Sequence, residues 1–167
     1  MVLVGIAFLL LQRWSSNEDT LPPCFEKGAS DSEDLSQDCL AEIQIVVFSE
    51  LLRKYSAVGS FYSGPNYFLA FEERDPESVA LTRLSRAYPT VFPASLLEPD
   101  TTFGVRDIEG RVGVLLSISS ITLDSGDQIV VCASVFRNGL AAEGGEVIIQ
   151  RSSIGWHVKK YDVQWVS

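Results

Sequence analysis

The sequence predicts an α+β domain: an N-terminal helix packed on a curved antiparallel sheet of about four to five strands, with one short second helix. Three observations predict it. Residues 103–167 read as successive segments of alternating apolar residues divided by short turns, the period-two pattern of half-buried strands. Leu40, Ile43, Val47, Leu51 and Tyr55 recur at three- and four-residue steps, the stripe of an amphipathic helix. Asp75-Pro76-Glu77 carries the residues that start a helix: a capping carboxylate, a proline whose missing N–H is harmless, and an acid near the positive end of the dipole.

In chain order, Met1–Leu11 is continuously apolar apart from Gly5. It is about half of what spans a bilayer as a helix. It matches the apolar region of a secretory signal but lacks a basic region before it and an A-x-A site after it. Leu21-Pro22-Pro23 before Cys24 is a poor lipoprotein cleavage site. Two explanations compete: the end of a signal anchor whose start lies upstream, or a strand or helix of the core. The first is preferred because Ser15–Asp38 is rich in Ser, Asn, Asp, Glu, Pro and Gly, which is linker composition. The expected organisation is an apolar signal- or anchor-like segment over 1–14, an acidic linker over 15–37, and one α+β domain over 38–167. The expected location is extracytoplasmic or membrane-anchored through residues 1–11, with a cytoplasmic location as the alternative.

The first helix is expected from Asp38 as N-cap, with Phe48 and Leu52 widening its stripe, to Ser56–Ser60, where Gly59 takes positive φ. Ser63-Gly64-Pro65-Asn66 is a turn, and Tyr67–Phe71 a buried strand. The second helix runs to about Arg86 and buries Val79 or Ala80 with Leu84; Pro89 and Pro93 then enforce extended, irregular chain. Thr102–Asp107 turns at Ile108-Glu109-Gly110 into Arg111–Leu123. There the apolar phase switches from Val112, Val114, Leu116 and Ile118 to Ile121 and Leu123, which predicts a bulge near Ser119-Ser120. After a turn at Asp124–Asp127 come Gln128–Phe136, a wide hairpin containing Asn138-Gly139 and Gly144-Gly145, the strand Gly145–Arg151, a turn at Ser153–Gly155, and Trp156–Val166.

At 167 residues the chain supports one domain with an ordinary core. Of its 22 acids, nine lie between Asn17 and Glu50, against Lys27 alone; from Leu51 onward 13 acids face 11 bases. The net charge of -9 is therefore a property of the N-terminal segment. Arg53-Lys54 and Lys159-Lys160 are isolated pairs, and without a basic stripe nucleic acid is not an expected partner. Cys24, Cys39 and Cys132 form no C-x-x-C, and the one histidine, His157, is distant, so no zinc site is expected. Cys24 and Cys39 either bridge a modest loop in an oxidising compartment or stay as thiols. Cys132 is expected as a small core residue.

Certain motifs carry a resemblance over residues 40–167. They are Asp75-Pro76 before a short helix, Asp107-Ile108-Glu109-Gly110-Arg111-Val112-Gly113, Phe136-Arg137-Asn138-Gly139-Leu140-Ala141-Ala142-Glu143-Gly144-Gly145, and Gly155-Trp156-His157-Val158 to Trp165-Val166-Ser167. In these the chain resembles an uncharacterised family of small bacterial proteins. The resemblance implies a helix on a curved sheet, similar to cystatin-like or NTF2-like rolls, and implies no activity.

No residue is assigned to catalysis and no cofactor or metal is implied. His157 as a general base needs an acid. Strict alternation places it with Lys159, Tyr161, Val163 and Trp165, and places Asp162 on the opposite side with Trp156 and Lys160. Glu143 and Glu146 are expected in the turn region around Gly144-Gly145, their side chains satisfying their own backbone. Asp124-x-x-Asp127 lacks the ligands of a calcium loop, and Gly139 and Gly144-Gly145 lack the Lys-Ser/Thr of a phosphate loop. The candidate ligand-binding residues are Trp156, Trp165, Tyr161, Arg137 and His157, with the aromatics either lining a concave sheet face or filling the core. The functional expectation is a non-catalytic exported or membrane-tethered domain acting by protein or ligand binding. The alternatives are an NTF2-like small-molecule binder or enzyme with a pocket between helix and sheet, and an immunity- or inhibitor-type protein whose acidic surface meets a basic partner.

Overall fold

The apolar stripe of the N-terminal region forms helix α1, Gln37–Ala57. The computed structural model describes residues 35–57, 66–99, 104–125, 127–138 and 141–166. The apolar start, the linker up to residue 34, Gly59, and the turn residues Ser63, Gly64, Pro65, Gly126 and Gly139 lie outside the described residues. Ser36, not Asp38, takes the cap position. Its carbonyl accepts from the Leu40 N–H at 2.9 Å and its Oγ from the Cys39 N–H at 3.4 Å. Asp38 falls in the first turn, where its charge meets the positive end of the helix dipole. The stripe is wide: Ile43, Val47, Phe48, Leu51 and Leu52 are fully buried. The β-branched run Ile45, Val46 and Val47 sits inside this helix, so burial rather than propensity holds it.

Strand β1, Asn66–Phe71, leads to α2, Ser78–Ala87. Asp75 does not cap α2. The helix starts after Glu77, and Asp75 Oδ1 instead accepts from the Ser95 N–H at 2.8 Å, tying down a single 3-10 turn at Ala94–Leu96. The start of α2 is joined to α1 by the buried Gln44, whose Oε1 accepts from the Glu77 N–H at 2.8 Å. Ala80 and Leu84 are the buried pair of α2, and Val79 is exposed. The Pro89–Pro93 segment is more regular than expected, for Val91–Pro93 forms a short edge strand, β2, an allowed place for a strand proline.

The sheet is open and curved, in the order β2-β1-β4-β5-β6-β7, with a short β3 (Val105–Arg106) pairing with β4. The long strands are β4 (Val112–Ser125), β5 (Gln128–Asn138), β6 (Ala141–Ser152) and β7 (Gly155–Val166). Among the described residues that makes seven strands, not four to five. Nor are all pairs antiparallel: β1 runs parallel to both β2 and β4. The chain leaves β1 through α2 before it returns, the crossover a parallel pair needs. The unbroken apolar run Tyr67–Phe71 is buried on both faces, as parallel strands are.

From β4 to β7 the sheet is the expected meander. The phase switch is a bulge at Ser119, between the pairs Ile118–Ala133 and Ser120–Cys132. Ile118 and Ile121 therefore both face α1, where they join Leu116, Ile129, Val131 and Ile149 in one buried cluster. Cys132 points the other way and is only partly buried, a correction to its expected core position. It is a free thiol, whereas Cys39 is disulfide-bonded and Cys24 lies outside the described residues.

Gly144 and Gly145 do not belong to a hairpin. They lie inside β6, where close approach, not turn geometry, bears on them: a Cβ on Gly145 would stand 2.0 Å from the Asp162 carbonyl oxygen, a backbone atom that cannot rotate away, and one on Gly144 would stand 2.5 Å from the exposed Trp165 ring. The turns at Gly110 and Gly155 do use positive φ, 78° and 111°. Among the described residues no helix is long and apolar enough to cross a membrane.

Strand β7 breaks strict alternation twice. Val158 pairs with Ile149 and Lys160 with Ile148, leaving Lys159 as an extra residue; Gln164 is extra in the same way between Val163 and Trp165. Each bulge reverses the facing of the residues beyond it. Trp156, Val158, Tyr161 and Val163 thus face α1, while His157, Lys160, Asp162 and Trp165 lie on the outer face. His157 and Asp162 are on one side after all, contrary to the alternation argument.

Candidate functional site

Burial of Tyr55 in the last turns of α1 fixes the position of its neighbour Lys54 at one end of the sheet. Lys54 Nζ lies 2.9 Å from Glu143 Oε1, donates to the Tyr55 hydroxyl at 3.1 Å, and stands 4.2 Å above the centre of the Tyr161 ring. The helix C-terminus favours a cation here, and so does the negative face of each ring. Glu143 and Tyr161 reach this point because β6 and β7 present them to α1: Glu143 pairs with Val135 on one side, and Tyr161 pairs with Val147.

Arg137 lies beside this group, at a register shift of β5 between Phe136 and Asn138. Its guanidinium stands 5.5 Å from the centre of the Tyr55 ring. With Val135, Ala141, Ala142, Glu143 and Val166 it lines a half-open cavity of about 90 Å³. Among the described residues Arg137 has no carboxylate partner. Two strands further, across Val114 of β4, Tyr67 points to the same face of the sheet. It is 4% exposed, and its hydroxyl has no hydrogen-bond partner. Burial pushes the Tyr67 phenol above its usual range, with the charge of Arg137 acting the other way. Burial likewise raises Tyr161, opposed by Lys54 and reinforced by Glu143; its hydroxyl too has no partner.

These residues make a polar belt across the α1 face: Tyr67, Arg137, Tyr55, Lys54, Glu143 and Tyr161. Lys54 and Glu143 neutralise each other. Arg137 remains as a planar cation with five N–H donors, held against an aromatic ring. The chemistry this offers is recognition of an oxyanion.

Of the five sequence candidates, Arg137 and Tyr161 come together here. Trp156 faces α1 at the other end of the strand, with Arg151 5.8 Å from its ring centre, and packs on the core. Trp165 lies outside over Gly144, and His157 is exposed opposite Gln150. The Trp156–Trp165 pair therefore lines no common surface. Lys54, Tyr55, Tyr67 and Glu143 carry no sequence signal of a site; Glu143 lies in strand β6 and not in a turn. The buried acid among the described residues, Asp107, serves its own turn. Its Oδ1 accepts from the N–H groups of Glu109 at 3.0 Å and Arg111 at 2.8 Å, and its Oδ2 accepts from Arg111 Nε. Burial alone would raise its carboxyl, but these bonds and the Arg111 charge hold it below the usual range. Among the described residues no group of three or more His, Cys, Asp or Glu could hold a metal ion. Compared with protein-family models, curated proteins and solved structures, the chain matches none of them.

Proposed function

We propose that this chain is an exported or membrane-tethered domain, a helix-on-curved-sheet roll of the cystatin-like or NTF2-like kind, that acts by binding and not by catalysis. The observation that carries the reading is how the space between α1 and the sheet is used. Phe48, Leu51, Leu116, Ile118, Ile121 and Val131 fill it, and the polar groups of that face gather at the belt beside the half-open cavity. An enzyme built on a deep polar cone between helix and sheet has less support from this packing. Two features support export: the disulfide bond of Cys39, a bond that persists in oxidising compartments, and the apolar run Met1–Leu11, which supplies a signal or tether.

The test is fractionation of the full-length chain carrying a C-terminal tag, with alkylation of free thiols before lysis and mass analysis. The expected result is recovery in the exported or membrane fraction with Cys39 protected and Cys132 labelled after denaturation. Recovery wholly in the cytosol with Cys39 alkylated would overturn it.

A further inference from the structure

We propose that the cavity beside Arg137 binds a small carboxylate, with Arg137 as the anchoring cation; this deepens the reading of the chain as a binding domain and rests on it. Three observations lead there. Arg137 lines the cavity and has no carboxylate partner among the described residues. The Tyr55 ring supports it, so the guanidinium is positioned before any ligand arrives. The rest of the cavity wall is largely aliphatic: Val135, Ala141, Ala142 and Val166.

The chemistry of these groups selects the class of ligand. A guanidinium matches the two oxygens of a carboxylate with two parallel N–H bonds. The Glu143 carboxylate also lines the cavity; Lys54 neutralises it at 2.9 Å, leaving net room for one negative charge and not two. A monoanion is favoured over phosphate on that ground. A cavity of about 90 Å³ admits a carboxylate with a short aliphatic chain, on the order of six heavy atoms. Such a group is offered equally by a free short-chain acid and by the C-terminus of a peptide ending in a small residue.

The experiment uses the full chain and three probes: butyrate, inorganic phosphate, and the peptide Ala-Ala-Ala with either a free or an amidated C-terminus. Binding is followed by amide chemical shifts of β5 and β6 and by calorimetry. The expected result is saturable binding of butyrate or of the free-carboxylate peptide, with shifts centred on Arg137 and Ala141–Glu143, and none from the amidated peptide. A preference for the peptide assigns the ligand to a chain terminus; a preference for butyrate assigns it to a free acid. Arg137→Gln should weaken binding at least tenfold, and Arg137→Lys should retain part of it. No saturable binding of any carboxylate probe, affinity unchanged in Arg137→Gln, or tighter binding of phosphate would each overturn the proposal. An exported, disulfide-bonded chain that binds no carboxylate would refute this inference alone. A reduced cytosolic chain that binds one at Arg137 would refute the localisation part of the functional reading instead.

Discussion

Adjacent glycines in β6 offer a sharp test of what holds the edge strand. At Gly145 a methyl group would stand 2.0 Å from the Asp162 carbonyl oxygen and 2.9 Å from the Val163 Cα, both backbone atoms. Neither can rotate away, so β6 and β7 must part locally by roughly 1.5 Å to reach ordinary contact. Overpacking of this kind costs about 1–3 kcal/mol, and each ladder bond lost adds about 1 kcal/mol. We expect Gly145→Ala to lower stability by about 2–4 kcal/mol. At Gly144 the obstacle is the Trp165 ring, at 2.5–2.6 Å, on a side chain 48% exposed. Moving it off its rotamer costs about 0.5–1.5 kcal/mol, and the stiffer unfolded chain returns about 0.4–1 kcal/mol. Gly144→Ala should therefore be close to neutral. Urea unfolding followed by tryptophan fluorescence gives both values, and amide exchange should show β7 losing protection in Gly145→Ala but not in Gly144→Ala. If the two variants agree within about 0.5 kcal/mol, or β7 stays protected in both, the close-approach account of these glycines is wrong.

Phe48→Ala, which empties a fully buried site under the sheet, should cost about 3–5 kcal/mol in denaturant unfolding. A double-mutant cycle of Lys54→Met with Glu143→Gln should give a coupling of about 0.5–1 kcal/mol that shrinks in high salt, since both side chains remain partly exposed. The Asp107 carboxyl titrates below its unfolded value. Its contribution is thus fully present above about pH 5 and is lost as pH falls through the folded value. Melting temperature measured from about pH 6 down to about pH 2 should fall less steeply in Asp107→Asn than in the unmodified chain.

Much of the meander is legible in the sequence because its strands carry apolar residues on both sides of each irregularity. Ile118 and Ile121 straddle Ser119, so a change of phase is visible in the sequence and marks the bulge. The bulges of β7 leave a fainter mark. Val158 and Tyr161 straddle Lys159-Lys160 as Ile118 and Ile121 straddle Ser119-Ser120, but beyond Gln164 the apolar Trp165 and Val166 lie on opposite faces and blur the pattern. Gly144-Gly145 is ambiguous for a different reason, since glycine answers equally to a backbone that needs positive φ and to a neighbour that leaves no room for a side chain. Strand β2 is three residues ending in proline, too short for any periodicity. The belt is half legible: Arg137 and Tyr161 stand out as residue types. Their meeting with Tyr67 depends on the parallel pairing of β1 with β4, a long-range contact that local pattern does not encode.

The bulges of β7 have a further consequence at the border of the sheet. An outermost strand of twelve residues would ordinarily be a template on which other chains zip and aggregate. Here the ladder is cut at Lys159 and Gln164, so its longest regular stretches, 155–158 and 160–163, are four residues each. Lys160 and Asp162 add exposed charge to the second stretch. A straight strand from another molecule would lose register within one stretch, so this edge discourages fibrils while leaving the polar belt at its end open to a ligand.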